Sequence, residues 1–272
     1  MNIKILGNGG FYNEGLPYNA MAIDGHVLVE TPPDILQSLM QQGMRPAQMD
    51  TVFVSHIHGD HCFGFPFFFF NWLYWGESDS HYERGTRLVI IGPEGLGSHL
   101  RELMRLAIPP EHPYLRDFDQ RVQIVEIDED DVVAVKGNLW FGFRRTAHSL
   151  PTFSLIAGER GPDGALPSSS EYLKKALFIY SSDTSMFEGV RVLLGSGAKL
   201  ILCDTNGEKE NGVHMSPQEL MAAAAEQGLS GTDSGHAGDF ASGRLRGIHM
   251  SKRMEKAGEL RFVQPGEEFT VG

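Results

Sequence analysis

The sequence predicts an α/β protein in which two mixed β-sheets are flanked by helices. The chain has 272 residues, of which 41% are hydrophobic and 21% are charged, the composition of an ordinary globular protein. Short apolar runs rich in β-branched residues occur in both halves of the chain, with helical segments interspersed among them. Two sheets between layers of helices account for this alternation. No long linker or internal repeat divides the chain, so we predict a single domain over residues 1–272.

In the first half, the predicted strands are residues 3–6, 21–23, 27–30, 51–55 and 88–91. Residues 51–55 are continuously apolar rather than alternating, which is typical of a strand buried on both faces. Pro32 and Gly43 mark the two ends of a predicted helix. Pro109 follows a second predicted helix over residues 96–107. The first half therefore alternates between strands and helices.

In the second half, the predicted strands are residues 122–127, 132–135, 139–145, 153–157, 177–181, 199–203, 245–249, 260–263 and 269–271. A helix is predicted from about Pro217 to Gln227. Residues 158–170 and 232–243 are rich in Gly, Ser and Asp and are predicted to be loops. Strands therefore dominate this half.

Charge and cysteine content restrict the class of protein. The chain has 23 basic and 35 acidic side chains, a net charge of −12, which weighs against a protein that coats nucleic acid. Cys62 and Cys203 make no disulfide framework and fit a reducing compartment. The apolar run at residues 63–75 is shorter than the ~20 residues that a membrane span needs, and no signal-type start is evident. We therefore expect a cytoplasmic protein without a membrane partner.

Three histidines and an aspartate follow the predicted strand 51–55 directly: His56, His58, Asp60 and His61. A lone buried histidine is usually a core residue, but four potential ligands where a strand ends favour metal binding. His56 and His58 lie on the same side of the chain if the strand pattern persists, so both can bind one ion. Asp60 and His61 lie beyond the strand and can reach a second ion. Nitrogen and carboxylate ligands suit zinc, manganese or iron.

The His-x-His-x-Asp-His pattern after a hydrophobic strand resembles the signature of the metallo-β-lactamase fold superfamily. The resemblance extends along most of the chain and implies an αββα sandwich with the metals at one edge. The superfamily's remaining ligand positions match three residues at or near the ends of predicted strands: His148, Asp183 and His249. The resemblance implies that the first ion is bound by His56, His58 and His148. It implies that the second ion is bound by Asp60, His61 and His249, with Asp183 bridging the two.

Two divalent ions, zinc with manganese or iron as alternatives, are therefore the implied cofactors. Two adjacent cations lower the pKa of a bridging water toward neutrality, and the resulting hydroxide attacks an electrophilic centre. The ions also stabilise the charge that develops on oxygen in the transition state. Asp60 is a candidate catalytic residue, because its carboxylate can orient the hydroxide as well as bind metal. We therefore predict a hydrolase.

The segment after His249 is similar to the His-x-Ser-x-Arg segment of the tRNase Z branch. Ser251, Lys252 and Arg253 are accordingly candidate substrate-binding residues, with the two cations placed to bind a phosphate oxygen. The alternative is that both cations are ordinary solvated surface charges.

His214 precedes a predicted helix, where the tRNase Z branch carries an accessory histidine. We predict that it is a catalytic residue that protonates the leaving alkoxide as a general acid. The alternative is that His214 is a loop residue and Ser216 merely caps the helix that begins at Pro217. In the branch a glutamate partners the accessory histidine, and Asp204 lines up with it although its side chain is one methylene shorter.

Two further departures from the family pattern are evident. The interval between His148 and Asp183 lacks the long basic arm with which the branch clamps tRNA. The segment around Glu30 lacks the superfamily's usual Asp-x-Gly, which affects the surroundings of the metal site rather than its ligands. Most aromatic rings of residues 63–75 are predicted to be core, although one or two can stack on a nucleobase.

These observations predict a dinuclear-metal hydrolase that cleaves a small phosphodiester, such as a cyclic nucleotide or a short nucleotide ester. Three alternatives stay open: a tRNase Z-like tRNA 3′-processing endonuclease, a hydrolase of esters, lactones or thioesters, and a non-catalytic metal-containing accessory protein. The expected partner is a small-molecule substrate, and nucleic acid is disfavoured by the net charge. A homodimer is compatible with the resemblance, because the superfamily often forms dimers.

Overall fold

The structure, a computed structural model, describes residues 1–78, 87–207, 212–229 and 244–272. In this part of the chain the strands are β1 (Asn2–Gly7), β2 (Ala20–Ile23), β3 (Val27–Val29), β4 (Thr51–Phe53), β5 (Leu88–Pro93), β6 (Val122–Ile127), β7 (Val132–Ala134), β8 (Leu139–Arg145), β9 (Phe153–Glu159), β10 (Phe178–Tyr180), β11 (Leu200–Asp204), β12 (Leu245–Ile248), β13 (Lys256–Ala257), β14 (Leu260–Phe262) and β15 (Glu268–Thr270). The helices are α1 (Ile35–Gln41), α2 (Gly59–Cys62), α3 (Phe65–Ser78), α4 (Leu96–Ala107), α5 (Pro113–Arg121), α6 (Tyr172–Lys175), α7 (Glu188–Leu194) and α8 (Pro217–Glu226), with a 3₁₀ turn at Pro46–Gln48.

These strands form two mixed sheets, as the sequence predicts. The first sheet has the strand order β15-β1-β2-β3-β4-β5-β6 and the second has the order β13-β14-β12-β11-β10-β9-β8-β7. In the first sheet β3 to β6 run parallel, and in the second β10, β11, β12 and β14 run parallel. The remaining pairings are antiparallel.

The two sheets pack face to face, and helices cover both outer faces. Alternation along β10 shows the arrangement, because Phe178 and Tyr180 point into the layer between the sheets whereas Ile179 points outward. The outer layer of the first sheet includes apolar side chains of α1, α3, α4 and α5. The outer layer of the second includes those of α6, α7 and α8. The predicted αββα sandwich is therefore confirmed.

The aromatic segment after the histidine motif forms the long helix α3. Its pattern is not that of a regular amphipathic helix, because consecutive phenylalanines place rings on every side. Phe68, Phe69 and Trp72 are fully buried against the first sheet, whereas Phe67 and Tyr74 are exposed. Four of the nine aromatic rings of residues 63–75 are buried and four are exposed, so the prediction that most of them are core was wrong. Aromatic residues have modest intrinsic helix propensity, so tertiary packing stabilises this helix.

Two neighbouring phenylalanines of α3 provide a matched pair for a stability test. We expect Phe68→Ala to lower the free energy of unfolding by about 3–5 kcal/mol, because it leaves a cavity in the core. Phe67→Ala removes a ring that is 57% exposed and should change this free energy by less than about 0.5 kcal/mol. Urea denaturation measures both values. Equal effects of the two substitutions would contradict this packing of α3.

In the described part of the chain, five helices were not predicted from the sequence: α2, α3, α5, α6 and α7. Helix α5 begins with Pro113 and is capped by His112, whose Nδ1 accepts a hydrogen bond from the Tyr114 amide. Helix α7 has only seven residues, too few for a clear periodic pattern. The predicted loop at residues 232–243 lies outside the described residues. In the described part of the chain, no helix is long and apolar enough to cross a membrane.

Candidate metal centre

The predicted ligands gather where strands end. Each of four of them lies one to three residues beyond a strand: His56 after β4, His148 after β8, Asp183 after β10 and His249 after β12. The carboxyl ends of the parallel strands β10, β11 and β12 meet at one edge of their sheet, which is where α/β proteins place their functional groups. The short helix α2 adds Asp60 and His61. The fold therefore brings residues from across the chain to one edge.

Three histidines form the first group, which we call the tri-histidine cluster: His56, His58 and His148. His58 Nδ1 lies 3.0 Å from His56 Nε2 and 3.2 Å from His148 Nε2. The second ring nitrogens bond to neutral groups. His56 Nδ1 is 3.0 Å from the Ser55 hydroxyl, and His148 Nδ1 donates to the Val213 carbonyl at 3.2 Å. Three imidazole nitrogens therefore converge on one point.

Four buried residues form the second group, which we call the carboxylate cluster: Asp60, His61, Asp183 and His249. Asp60 Oδ2 lies 3.4 Å from His61 Nε2 and 3.2 Å from His249 Nε2. Asp183 Oδ1 lies 3.3 Å from His61 Nε2. All four residues are at most 4% exposed.

Asp183 lies between the two clusters. Its Oδ1 faces the carboxylate cluster, at 3.3 Å from His61 Nε2 and 3.4 Å from His249 Nδ1. Its Oδ2 faces the tri-histidine cluster, at 3.8 Å from His56 Nε2 and 4.0 Å from His148 Nε2. One carboxylate thus presents an oxygen to each group, which is the geometry that a bridging ligand requires.

The two clusters shift the pKa of their histidines in opposite directions. Burial is the main reason that all three members of the tri-histidine cluster have a pKa below the ordinary value: His56, His58 and His148. Burial also acts to lower the pKa of His249, but the charges of Asp183, Asp204 and Asp60 outweigh it and raise that pKa to about 10. Asp183 and Asp60 likewise raise the pKa of His61 well above 6.5 despite its burial. The carboxylate cluster is thus built to hold positive charge.

Buried atoms without partners test whether the residues fit a cation. Among the described residues, Asp60 Oδ1, Asp183 Oδ1 and both ring nitrogens of His61 are buried and lack a hydrogen bond. Such groups are costly unless an ion or a hydrogen bond satisfies them. A divalent cation at the carboxylate cluster would satisfy Asp183 Oδ1 and His61 Nε2, whereas His61 Nδ1 lies 3.2 Å from Glu30 Oε1. The donor set of imidazole and carboxylate suits such an ion. The two clusters are those of a divalent-metal-binding site.

The backbone at this edge is strained. Of the five non-glycine residues with positive φ in the described chain, three lie at the centre: Glu30 (67°), Ser182 (56°) and His249 (60°). This conformation costs about 1–3 kcal/mol per residue and persists only where the surroundings impose it. The surroundings therefore hold the ligand segments in unusual conformations at the metal centre.

His214 lies beside the metal ligands, and Asp204 is its partner. His214 Nδ1 donates to Asp204 Oδ2 at 2.7 Å, so the shorter side chain still reaches the histidine. Burial acts to lower the pKa of His214, but the hydrogen bond and charge of Asp204 raise it above 6.5. Ser216 does cap α8, in a reciprocal capping box with Glu219. The helix cap and the approach of His214 to the centre therefore occur together.

The candidate substrate-binding residues follow His249 on the surface. Ser251 is half-buried and its carbonyl accepts a hydrogen bond from the Glu14 amide, whereas Lys252 and Arg253 are exposed. Lys252 and Arg253 thus lie on the surface, three and four residues after His249. Their role stays a prediction.

Two features near the centre escaped the sequence analysis. Glu30, noted only as a departure from the family pattern, is fully buried with Oε1 3.2 Å from His61 Nδ1. The loop after β1 packs on the centre through Gly10, where a side-chain carbon would lie 3.1 Å from His249 Cε1 and clash with Asn206. The adjacent glycines at positions 9 and 10 were the available sequence signal for this close approach.

Several known proteins are similar to this chain in sequence or in fold. Ribonuclease Z of Bacillus mycoides is 24% identical over 128 residues, which cover 47% of this chain and 37% of that relative. The matched segment thus spans just over a third of the curated relative. The metallo-β-lactamase fold protein YhfI from Bacillus subtilis superposes with a TM-score of 0.67 at 14% identity and covers 100% of this chain and 99% of its own. A diphosphatase from the PhnP family superposes with a TM-score of 0.66 at 13% identity, covering 99% of this chain and 97% of its own.

These neighbours show that the chain has the metallo-β-lactamase fold. A more specific match comes from a family model, described as Anti-Pycsar protein Apyc1, which matches residues 1–228. That span includes six of the seven predicted metal ligands and His214, and leaves only His249 of the ligands outside it. Because it covers most of the sequence, the chain belongs to the Anti-Pycsar protein Apyc1 family.

Proposed function

We propose that the protein is a hydrolase with two divalent metal ions, zinc by preference, that cleaves a small nucleotide-type phosphodiester such as a cyclic nucleotide. The observation that carries this proposal is the position of Asp183, which presents one oxygen to each of two ligand clusters. Paired metal sites of this kind serve in-line displacement at phosphorus. The proposed metal ligands are the tri-histidine cluster, the carboxylate cluster and, as the bridge, Asp183 itself.

When bound, two such ions supply an activated water and stabilise negative charge on the phosphoryl oxygens. The chain's own residues orient and transfer protons. Asp60 is placed to orient the attacking water, because its Oδ1 is buried without a partner. His214 donates to Asp204 through Nδ1, which leaves Nε2 to give a proton to the leaving alkoxide as the P–O bond breaks.

The surface beside the centre supports a substrate with an aromatic base. Phe11 and Tyr12 follow Gly10 and are 49% and 79% exposed, and their rings form an edge-to-face pair. The loop is anchored on both sides of the pair, since the Gly10 amide donates to the Met250 carbonyl and the Glu14 amide to the Ser251 carbonyl. Exposed rings held beside a metal centre suit stacking on a nucleobase.

The names of the relatives point to the same chemistry. One is a ribonuclease and another a diphosphatase, and both names denote cleavage of phosphorus–oxygen bonds. The similarity to ribonuclease Z also favours a second candidate function, tRNA 3′-processing. The net charge of −12 disfavours that candidate, because phosphate contacts along a nucleic acid favour a surface rich in Lys and Arg.

The proposed function is tested by assaying metal-free and reconstituted protein on four substrates: a cyclic nucleotide, bis-p-nitrophenyl phosphate, a lactone and a tRNA precursor. We expect Zn²⁺- or Mn²⁺-dependent hydrolysis of the two phosphodiesters. Lactone hydrolysis alone would favour the ester and lactone alternative, and salt-sensitive cleavage of tRNA would favour the nuclease. Two bound ions without turnover on any substrate would favour an accessory protein. Sedimentation of the same sample tests the homodimer, which stays a prediction.

Arg253→Ala discriminates between phosphodiester and ester chemistry. We expect about a tenfold or greater loss of kcat/KM on the phosphodiesters, because a charge-assisted contact to phosphate is lost. Activity toward the lactone, if any, should stay nearly unchanged. Arg160→Ala, which alters an arginine bonded to the Val135 and Gly137 carbonyls, is the control. Equal activity of Arg253→Ala and the unmodified protein on phosphodiesters would remove Arg253 from the site.

The exposed pair Phe11 and Tyr12 gives a separate prediction about how the nucleobase of the substrate is bound. Phe11→Ala or Tyr12→Ala should raise KM for a cyclic nucleotide about fivefold to a hundredfold, the value of one stacking contact. Neither substitution should change KM for ribose cyclic phosphate, because this compound lacks a nucleobase. Leu106→Ala, at an exposed apolar position of α4, is the control. Equal effects on the substrates with and without a base would contradict stacking.

A further inference from the structure

We infer that the two metal positions differ in affinity, so that the carboxylate cluster binds its ion first and holds it more tightly, whereas the tri-histidine cluster is the exchangeable site. This inference rests on the two-ion part of the proposed function. Its basis is a difference between the two clusters in the groups that contact the second ring nitrogen of each histidine.

Both histidines of the carboxylate cluster are backed by buried carboxylates. Glu30 Oε1 lies 3.2 Å from His61 Nδ1, on the side of the ring away from Asp60 and Asp183. Asp204 Oδ1 accepts a hydrogen bond from His249 Nδ1 at 3.3 Å. A carboxylate behind a metal-bound histidine fixes the ring's orientation and increases the basicity of the ligating nitrogen.

Burial and hydrogen bonds fix the position of the Glu30 carboxylate beside His61. It is 0% exposed, and its Oε2 accepts a hydrogen bond from the Ser55 amide at 3.2 Å. Its Oε1 accepts one from the Tyr180 hydroxyl at 3.4 Å, and that hydroxyl accepts one from Asn19 Nδ2 at 2.6 Å. A buried carboxylate is costly unless it is paired. Among its contacts, His61 is the group able to share positive charge with it, so we assign Glu30 as a positioning residue for His61.

Asp204 is held just as firmly. Its Oδ2 accepts from the Thr184 amide and its Oδ1 from the Asn206 amide, at 3.0 and 2.9 Å. The same carboxylate bonds to His214 Nδ1, so one group orients both His249 and the candidate general acid. Loading of the carboxylate cluster is therefore connected to the position of His214 through a single side chain.

The tri-histidine cluster lacks this support. Its rings are backed by the Ser55 hydroxyl and the Val213 carbonyl, which carry no charge. It includes no carboxylate of its own, and Asp183 Oδ2 approaches no closer than 3.8 Å. His58 is also partly accessible to solvent, whereas every member of the carboxylate cluster is buried. Fewer negative charges and greater solvent access both weaken the hold on a divalent cation.

Zinc titration of the metal-free protein against a chromophoric chelator measures the two dissociation constants directly. We expect two separate values. His148→Ala should abolish the weaker one and leave the tighter one within about threefold. His249→Ala should abolish the tighter one. The inference is overturned if His148→Ala removes the tighter site instead.

The backing carboxylate is tested by Glu30→Gln, with Ser55→Ala as the matched control behind the other cluster. Glu30→Gln should weaken the tighter site about ten- to hundredfold and leave the weaker site unchanged. Ser55→Ala should leave the tighter site unchanged. With one equivalent of Co²⁺, the visible absorption spectrum should differ from that of the unmodified protein only in Glu30→Gln. An equal loss at both sites in Glu30→Gln would show a merely structural role and would contradict the assignment.

These readouts are independent of turnover. Absence of phosphodiester hydrolysis with two ions bound at the expected affinities would overturn the proposed reaction and uphold the order of binding. If Glu30→Gln does not fold, the comparison of His148→Ala with His249→Ala still decides between the sites. The protein could also bind a single ion that is retained in His148→Ala and lost in His249→Ala. That result would uphold the preference for the carboxylate cluster and refute the dinuclear mechanism.

Discussion

Replacement of Asp183 by alanine is expected to lower kcat for phosphodiester hydrolysis by at least about a thousandfold. This carboxylate is the group that faces both clusters, and it is 2% exposed. Its loss leaves the two ions without a shared ligand and removes a negative charge that buried histidines require. Loss of a single transition-state hydrogen bond costs about 10²–10³ in rate, so loss of a bridging ligand should cost at least as much. Metal analysis and steady-state kinetics on the same sample measure both consequences.

Two controls separate charge from general damage to the fold. Asp183→Asn keeps the shape and one acceptor oxygen but removes the charge, and we expect it to be nearly as inactive as the alanine variant. Asp163→Ala, on an exposed turn, should behave as the unmodified protein. The dinuclear assignment would be wrong if Asp183→Ala kept two tightly bound ions and more than a tenth of the activity.

His214→Ala is expected to have the second largest effect, and its size should depend on the leaving group. General acid catalysis typically contributes about 10²–10⁴ in rate, so kcat for a cyclic nucleotide, whose leaving group is an alkoxide, should fall by that factor. p-Nitrophenolate leaves without a proton, so hydrolysis of bis-p-nitrophenyl phosphate should fall by less than about tenfold. Parallel assays of the two substrates provide the comparison.

Ser216→Ala is the control for His214. It removes the cap of α8, two residues away, and leaves the imidazole and Asp204 in place. We expect it to lower the stability of the protein by about 1 kcal/mol without any preference between leaving groups. If His214→Ala slowed both substrates by the same factor, His214 would be a binding or structural residue rather than the acid.

Much of the candidate site could be predicted because its signal is local. His56, His58, Asp60 and His61 lie in one short segment, and their spacing after an apolar strand indicates a metal site without knowledge of any distant residue. The partners His148, Asp183 and His249 were identified only through the resemblance to the superfamily, whose ligand order they match. The structure brings all seven residues together. Their roles as ligands stay a prediction until metal binding is measured.

The positions of most strands were predictable for the same reason. Continuous or alternating apolar runs identify a strand whatever it pairs with, and the predicted helix over residues 96–107 has the bounds of α4. Helix α3 was not predicted, because eight of its residues are aromatic and the pattern shows no single apolar face. Its burial against the first sheet, seen at Phe68 and Trp72, decides its conformation.

By itself, the sequence determined the strand pattern and the metal-binding character of the histidine motif, since these depend on residue type and short spacing. The sandwich fold was implied by the resemblance of that motif to a known superfamily. Only the tertiary structure decided which buried carboxylates contact the histidines of the site. Glu30 meets His61 and Asp204 meets both His214 and His249 across contacts between distant segments, and no local pattern encodes them. Buried charges are stable only when the whole fold pairs them, so their arrangement is a property of the folded chain.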